Sequence, residues 1–497
     1  MVESYTKKAV RSTVTIFLVG VASLGVSYLF RLLLARNLSV AEYGLFYSIL
    51  SFFFVFVVIT RLGLGQALVK YISEFLVKKQ YSNVKGSIII TLLTHFILSA
   101  IVGVIFILIS GFLATHYLKM PDYHYLIILY AIYFIFFPFQ STLSYTFKGF
   151  QKMHYYSVME LLQNVIVFVF TFLFLIVFNM GLKAPFVAHY FIFILPIIFA
   201  PIFFKKHFPK FTKVKATITK PLFKKLTLFG VSMVIMSVST VIFTNADTIL
   251  ITFFLSLEDV GFYQAAFPTT KILANFSTTL LIVLLPLTSE LWARKKIEIL
   301  REGIKDLYKY VSLVLIPACF TMIIFPDLII RILFGPAYEP AANVLRILAI
   351  AALINVSGGI NSGVLSGIGK HSIVGKIFLT AAVLNIVLNI ILIPIIGIEG
   401  AAIATLISFA IISVWTFVSL KKSVGVKFDI RALIYTLVSG VIFTAVILIL
   451  KSSLHSNVWL ELSISLIVAL VVYVLLLFIL RVLSLSEIKK LLHRIKS

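Results

Sequence analysis

The chain is a string of about fourteen hydrophobic spans in which one six-span pattern occurs twice. Leu38-Ser39-Val40-Ala41-Glu42-Tyr43-Gly44-Leu45-Phe46-Tyr47 returns as Leu255-Ser256-Leu257-Glu258-Asp259-Val260-Gly261-Phe262-Tyr263, an offset of 217. Lys148-Gly149-Phe150-Gln151-Lys152 returns as Ser366-Gly367-Ile368-Gly369-Lys370, an offset of 218. Duplicated halves in a membrane protein typically form two lobes that rock about a central pathway. The pattern points to a transporter before any chemistry is considered.

At 61% hydrophobic and 12% charged, with mean hydropathy +1.12, the chain falls outside the range of water-soluble domains. Spans of about 20 apolar residues read near 12–35, 43–69, 86–114, 123–147, 155–180 and 184–204. A second set reads near 226–254, 260–287, 308–334, 341–366, 372–396 and 399–420, followed by 431–451 and 458–482. The fold class expected is an all-α polytopic membrane protein of about 14 transmembrane helices. Residues 1–204 would form an N-lobe, 205–225 a basic cytoplasmic linker and 226–420 a C-lobe. Residues 421–497 would hold spans 13 and 14 and a basic tail. Each copy has an even number of spans, so both insert the same way, as parallel repeats.

A net charge of +25 would suggest nucleic acid in a soluble protein. Here its placement decides otherwise. Alternating sides receive 34 and 5 of the 43 Lys and Arg residues, and the remaining four lie inside spans. Positive charge is retained in the cytoplasm during insertion, so both termini are expected there, in a cell membrane, with anionic lipid headgroups rather than nucleic acid as the neighbours. The basic opening Met1–Arg11 precedes a run too long for a signal-peptide core, so it reads as a retained first helix. The linker interleaves eight lysines with Phe208, Phe211, Leu222 and Phe223, as an interfacial segment or a solvated loop would. Residues 294–309 mix acids and lysines at helical spacing, which suggests a cytoplasmic helical extension. Cys319 is the single cysteine, so no disulfide framework or thiol metal cluster is available.

Ionisable residues at membrane depth cost at least roughly 2.5–3.5 kcal/mol each and are functional candidates by default. Five stand out: Arg31, Arg61, Asp247, Lys271 and Arg346. Four cations against one acid suit an anionic substrate, since cations offset the cost of desolvating phosphate. Snorkelling to the nearer interface is the structural alternative, least so for Lys271 near the midplane. At the 217 offset Arg31 maps to position 248, beside Asp247, so the two are expected to face each other. They would then close the outer side as an ion pair in one state, form a permanent structural pair, or make no contact at all. Asp247 is also the candidate for H+ or Na+ coupling. Asn245, Asn275, Asn355, Asn361, Asn385, Asn389, Gln140 and Gln264 read first as helix-to-helix hydrogen bonders and second as sugar contacts. His95 reads as a satisfied core histidine. No H-E-x-x-H, Walker A, nucleophile elbow or dinucleotide fingerprint is present, so neither an enzyme nor a cofactor is expected.

Three stretches then carry a resemblance. Asp247-Thr-Ile-Leu-Ile with Val260-Gly261-Phe262-Tyr263-Gln264-Ala265-Ala266 is one. Leu333-Phe334-Gly335-Pro-Ala-Tyr338 with Ala342-Asn-Val344-Leu345-Arg346-Ile347-Leu348 is the second. The third runs from Leu384-Asn385 through Leu388-Asn389-Ile390 and Leu392-Ile393-Pro394 to Gly397-Ile398-Glu399-Gly400-Ala401-Ala402-Ile403-Ala404-Thr405. In this order and span count they resemble the polysaccharide-export (Wzx-type) flippases of the multidrug/oligosaccharidyl-lipid/polysaccharide (MOP) superfamily. The resemblance implies two six-helix lobes around a central cavity lined by spans 1, 2, 7 and 8. It implies translocation of polyprenyl-(pyro)phosphate-linked oligosaccharide to the outer leaflet by alternating access. Arg31, Arg61, Lys271, Asn275 and Arg346 would contact the substrate, with packing within the recurring span 10 pattern as the other reading of Arg346, and Arg31 and Asp247 would stand at the gate. A lipid II flippase or an ion-coupled, MATE-like antiporter is the alternative, although a cation antiporter should show several acids in these spans. A membrane glycosyltransferase should carry acidic metal ligands on a long external loop, and every external loop here is short.

Overall fold

In hydrocarbon the backbone must satisfy its own hydrogen bonds, so apolar runs of this length become helices. The computed structural model describes the backbone of residues 2–426, 430–453, 458–480 and 482–483. Side chains are described in the same stretches apart from 2–17, 235–237, 274–286, 430, 432–433, 451–453 and 458–463. The first copy comprises α1 (Val2–Asn37), α2 (Val40–Arg61), α3 (Leu64–Val77), α4 (Tyr81–Leu108), α5 (His124–Gly149), α6 (Met153–Phe172), α7 (Lys183–Tyr190) and α8 (Ile194–His207). The second comprises α9 (Lys220–Phe254), α10 (Leu257–Ala293), α11 (Ile297–Ile324), α12 (Pro326–Leu333), α13 (Ala341–Gly367), α14 (His371–Ile396) and α15 (Ile398–Val424). Then follow α16 (Ile430–Ser453) and α17 (Val458–Ile479).

Every expected span overlaps at least one helix. Among the described residues ten helices are long and apolar enough to cross a membrane, or eleven when α9, bent by 51° between Val234 and Val238, counts as one span. The count stays below fourteen because α10 runs through the undescribed side chains at 274–286 and the last two helices show shorter apolar stretches, Ile434–Leu450 and Ile464–Ile479.

The duplication is written into the backbone. Left-handed residues recur in pairs 216 to 218 positions apart: Lys79 and Lys295, Lys119 and Gly335, Gln151 and Gly369, Asn179 and Gly397. The turn after α5 is closed by Lys152 N donating to Phe147 O at 2.9 Å, and the turn after α13 by Lys370 N donating to Leu365 O at 2.8 Å. Ser39 and Glu42 form a capping box at the start of α2. Ser256 and Asp259 form the same box at the start of α10.

Two departures from the expected spans have local causes. The span expected over 43–69 breaks after Arg61, where Leu62 (φ 44) and Gly63 (φ 66) are both left-handed. A Cβ on Gly63 would lie 2.0 Å from the Gly230 carbonyl oxygen, so the break is held by close backbone contact with α9. Beyond it α3 buries one face, Leu64, Ala67, Leu68, Tyr71, Ile72 and Phe75. The span expected over 308–334 is instead α11, which starts at Ile297 and absorbs the predicted extension, followed by a separate helix opened by Pro326.

The chain divides into two compact units. The first is Met1–Gln264 with Leu333–Tyr338 and Ile386–Ala401; the second is Ala265–Ile332, Glu339–Asn385 and Ala402–Ser497. The first unit therefore includes α9 and the opening of α10. It also includes the basic linker, which is folded: Lys85 Nζ donates to the carbonyls of Phe211 (2.7 Å) and Val214 (2.9 Å). Phe211 stacks on Phe204 at 4.1 Å between centroids.

Candidate functional site

Within the first unit the two copies of the repeated motif meet each other. A Cβ on Gly44 would lie 1.8 Å from Leu257 O, and one on Gly261 would lie 2.4 Å from Val40 O. Gly44 and Gly261 are equivalents at the 217 offset, as are Val40 and Leu257, so the contact is reciprocal. Only hydrogen at both positions permits this approach. One helical turn further, Ser48 Oγ and Thr252 Oγ1 are hydrogen-bonded at 2.8 Å, fully buried.

Arg31 lies at the same junction. Its Nη1 donates to Gln264 Oε1 at 3.2 Å, and its Cζ sits 4.3 Å from the centroid of the Tyr47 ring. Gln264 Nε2 in turn donates to Thr248 Oγ1 at 2.7 Å. Thr248 is the repeat equivalent of Arg31, and Gln264 that of Tyr47, so four related positions close one polar chain. The expected Arg31–Asp247 ion pair is not formed. Adjacent helical residues point about 100° apart, and the true counterpart of Arg31 is Thr248, which turns Asp247 to another side of α9. There the buried Asp247 carboxylate accepts from the Tyr263 hydroxyl and, at 2.7 Å, from Asn389 Nδ2. At the equivalent places in the first copy stand Phe30 and Phe46, in ring contact at 5.9 Å. The second copy thus carries a buried acid where the first carries an aromatic pair.

Arg61 is at the end of α2, its Cζ 5.1 Å from the Phe137 ring centroid and 6.0 Å from that of Tyr145. The carbonyl freed by the helix break, Arg61 O, accepts from His95 Nε2 at 3.1 Å, so His95 is the satisfied core histidine expected. Among the described residues neither Arg31 nor Arg61 forms an ion pair; both guanidinium groups lie against aromatic rings.

In the second unit Lys271 Nζ sits 4.1 Å from the Phe267 ring centroid. The side chain of Asn275 lies outside the described residues. Arg346 Nε donates to Ile323 O at 3.0 Å, at the end of α11, and its Nη1 donates to Asn343 Oδ1 at 2.9 Å, on its own helix α13. Asn385 Nδ2 reaches Thr405 Oγ1 at 3.4 Å, and Asn361 bonds to the Tyr308 hydroxyl, which bears out helix-to-helix hydrogen bonding for these amides. The residues that composition did not single out are Tyr47 and Tyr263. The 217 offset carries the signal, because it pairs Tyr47 with the polar Gln264 and Tyr263 with Phe46.

Comparison with known proteins fits this geometry. Residues 9–292 match the family model described as "Polysaccharide biosynthesis protein", and residues 232–391 match the MatE model. An uncharacterized membrane protein of Methanocaldococcus jannaschii is 30% identical over 99% of both chains. The probable low-salt glycan biosynthesis flippase Agl15 of Haloferax volcanii is 29% identical over 53% of this chain and 56% of its own length. Among solved structures, the lipid II flippase MurJ in an inward closed conformation superposes with a TM-score of 0.71 at 19% identity, covering 93% of this chain and 98% of that one. The chain is a multi-pass membrane protein that belongs to the polysaccharide biosynthesis protein family of the MOP superfamily.

Proposed function

We propose that the protein is a flippase that moves polyprenyl-(pyro)phosphate-linked oligosaccharide from the cytoplasmic to the outer leaflet of the cell membrane. It would act by alternating access and without catalysis, for surface polysaccharide or glycoprotein assembly. The family assignment and the flippase relative support this class of substrate. The observation that carries it is the pair of guanidinium groups, Arg31 and Arg61, placed in apolar helices against rings and not against carboxylates. Cations held this way keep their charge for an anion that arrives from outside the protein.

In this reading Lys271 and Arg61, with Asn275, hold the phosphate while the polyprenyl tail stays in lipid. The lobes 1–204 and 226–420, joined by the linker 205–225, rock to expose the headgroup outside, with both termini cytoplasmic. The α2–α10 junction around Gly44, Gly261 and Arg31 is the outer gate. Asp247 is the coupling residue for H+ or Na+, a role supported by a buried carboxylate that the first copy lacks. Native mass spectrometry of the purified chain with polyprenyl diphosphate and with polyprenol tests the headgroup assignment. Retention of the diphosphate, lost in Lys271→Ala and weakened in Arg61→Ala, is expected; equal retention of the uncharged polyprenol would refute it.

A further inference from the structure

Inside the first unit, between α1, α2, α5, α6 and α7, lies a cavity of about 270 Å³. It is near the lower end of the roughly 300–1,000 Å³ range of small-molecule sites, room for one ring and not for an oligosaccharide. Its lining includes one cation, Arg31, and no carboxylate. Its walls are largely aromatic, with Tyr47, Tyr130 and Tyr133 among them.

The polar groups facing this space are unusually well sorted. Arg31 is oriented by Gln264 on one side and stacked on Tyr47, so its fork is fixed before any ligand arrives. Asn164 spends its Nδ2 on Ser23, at 2.7 Å to the hydroxyl and 3.3 Å to the carbonyl, which leaves Oδ1 as an acceptor. His189 Nδ1 donates to Pro185 O at 2.6 Å, which leaves Nε2 as the other ring nitrogen. The hydroxyls of Tyr130 and Tyr133 and the amide of Gln163 make no hydrogen bond among the described residues. Five neutral polar groups and one cation around one ring-sized space match a polyhydroxylated ligand with one negative charge. A diphosphate carries too much charge for one guanidinium, and a neutral sugar leaves the fork unmatched. Flat C–H faces of a pyranose suit tyrosine rings, and a carboxylate suits an Arg fork.

The second copy supplies a control. There Arg31 becomes Thr248 and Tyr47 becomes Gln264, so the fold does not require a cation or a ring at these places. We propose that this cavity is a monosaccharide subsite that reads an acidic sugar, a pyranose bearing one carboxylate, within the transported glycan, with Arg31 holding the carboxylate. The proposal rests on the flippase reading for its source of sugar, while the site itself is tested by binding alone.

Saturation-transfer NMR on the full chain in nanodiscs, with the methyl glycosides of glucuronate, galacturonate and glucose and with inorganic phosphate, decides it. At least one uronate glycoside should bind saturably, about tenfold tighter than the glucoside, undisturbed by equimolar phosphate. Arg31→Ala should lose that binding, and Gln163→Leu, which removes an amide with no hydrogen-bond partner among the described residues, should weaken it severalfold. Equal binding of glucoside and uronates, displacement by phosphate, indifference to both substitutions, or no saturable binding each overturns the proposal. Translocation of lipid-linked glycans with and without a uronate separates the two claims. Equal transport of both, unchanged in Gln163→Leu, sinks the subsite and leaves the flippase. Arg31-dependent uronate binding with transport of neither glycan sinks the flippase and leaves the subsite.

Discussion

Gly44→Ala should open the junction between α2 and the start of α10. The new methyl would lie 1.8 Å from Leu257 O and 2.9 Å from Gly261 N, and both are backbone atoms that no rotamer change can move. Real Cβ contacts begin near 3.0 Å, so the helices must separate by about 1.2 Å. Overpacking of this kind costs roughly 1–3 kcal/mol. At about 1.4 kcal/mol per tenfold, the joined arrangement is disfavoured roughly 5- to 140-fold. The assay uses Ser48→Cys in a Cys319→Ser background, labelled from outside with a membrane-impermeant maleimide. Residue 48 should be protected with Gly44 present and react at least about fivefold faster in Gly44→Ala. Gly261→Ala, 2.4 Å from Val40 O, should act the same way, while Gly25→Ala, with nothing within 4 Å, should not. Unchanged labelling in a folded Gly44→Ala protein would refute the close-contact gate.

Three further outcomes follow from local geometry. His95→Leu leaves Arg61 O without its donor and should cost about 1–3 kcal/mol, read as a lower thermal midpoint that His95→Gln partly restores. Gly63→Ala forces a left-handed alanine into the Gly230 carbonyl at 2.0 Å, so expression of folded protein should fall sharply where Gly20→Ala has no such effect. Glu74 is held below the usual carboxylate range by its hydrogen bond to Lys78 and, next among the lowering partners, by Lys225 on α9 at 3.3 Å. Its folded value is depressed, so its contribution is present above the ordinary range and fades as pH falls through the lowered value. The small midpoint difference between wild type and Glu74→Gln at neutral pH should therefore close below about pH 4, and a difference that grows on acidification would contradict this.

Much of the architecture was legible because its signals are periodic. Span lengths follow from apolar runs, and the duplication follows from motifs repeated at offsets of 217 and 218. The break at Leu62–Gly63 was not legible, since leucine carries no left-handed preference and the cause is a contact with Gly230, far away in sequence. Arg31 and Asp247 stand one residue of helical phase apart. Opposite charge suggested a bond, while the repeat register placed Thr248 and Gln264 opposite Arg31. Arg346 carries two readings from sequence alone: a cation in an apolar span can serve a free helix carbonyl as well as a ligand, and the position of Ile323 O adds the first contact.

Translocation of a labelled polyprenyl-diphosphate glycan in proteoliposomes, wild type against Lys271→Ala and Asp247→Asn, tests the central claim most directly. The account predicts protein-dependent appearance of the glycan in the opposite leaflet. Lys271→Ala should abolish it, and Asp247→Asn should lose its dependence on the proton or sodium gradient. No movement of the glycan by wild-type protein across carriers of different length would contradict the flippase assignment.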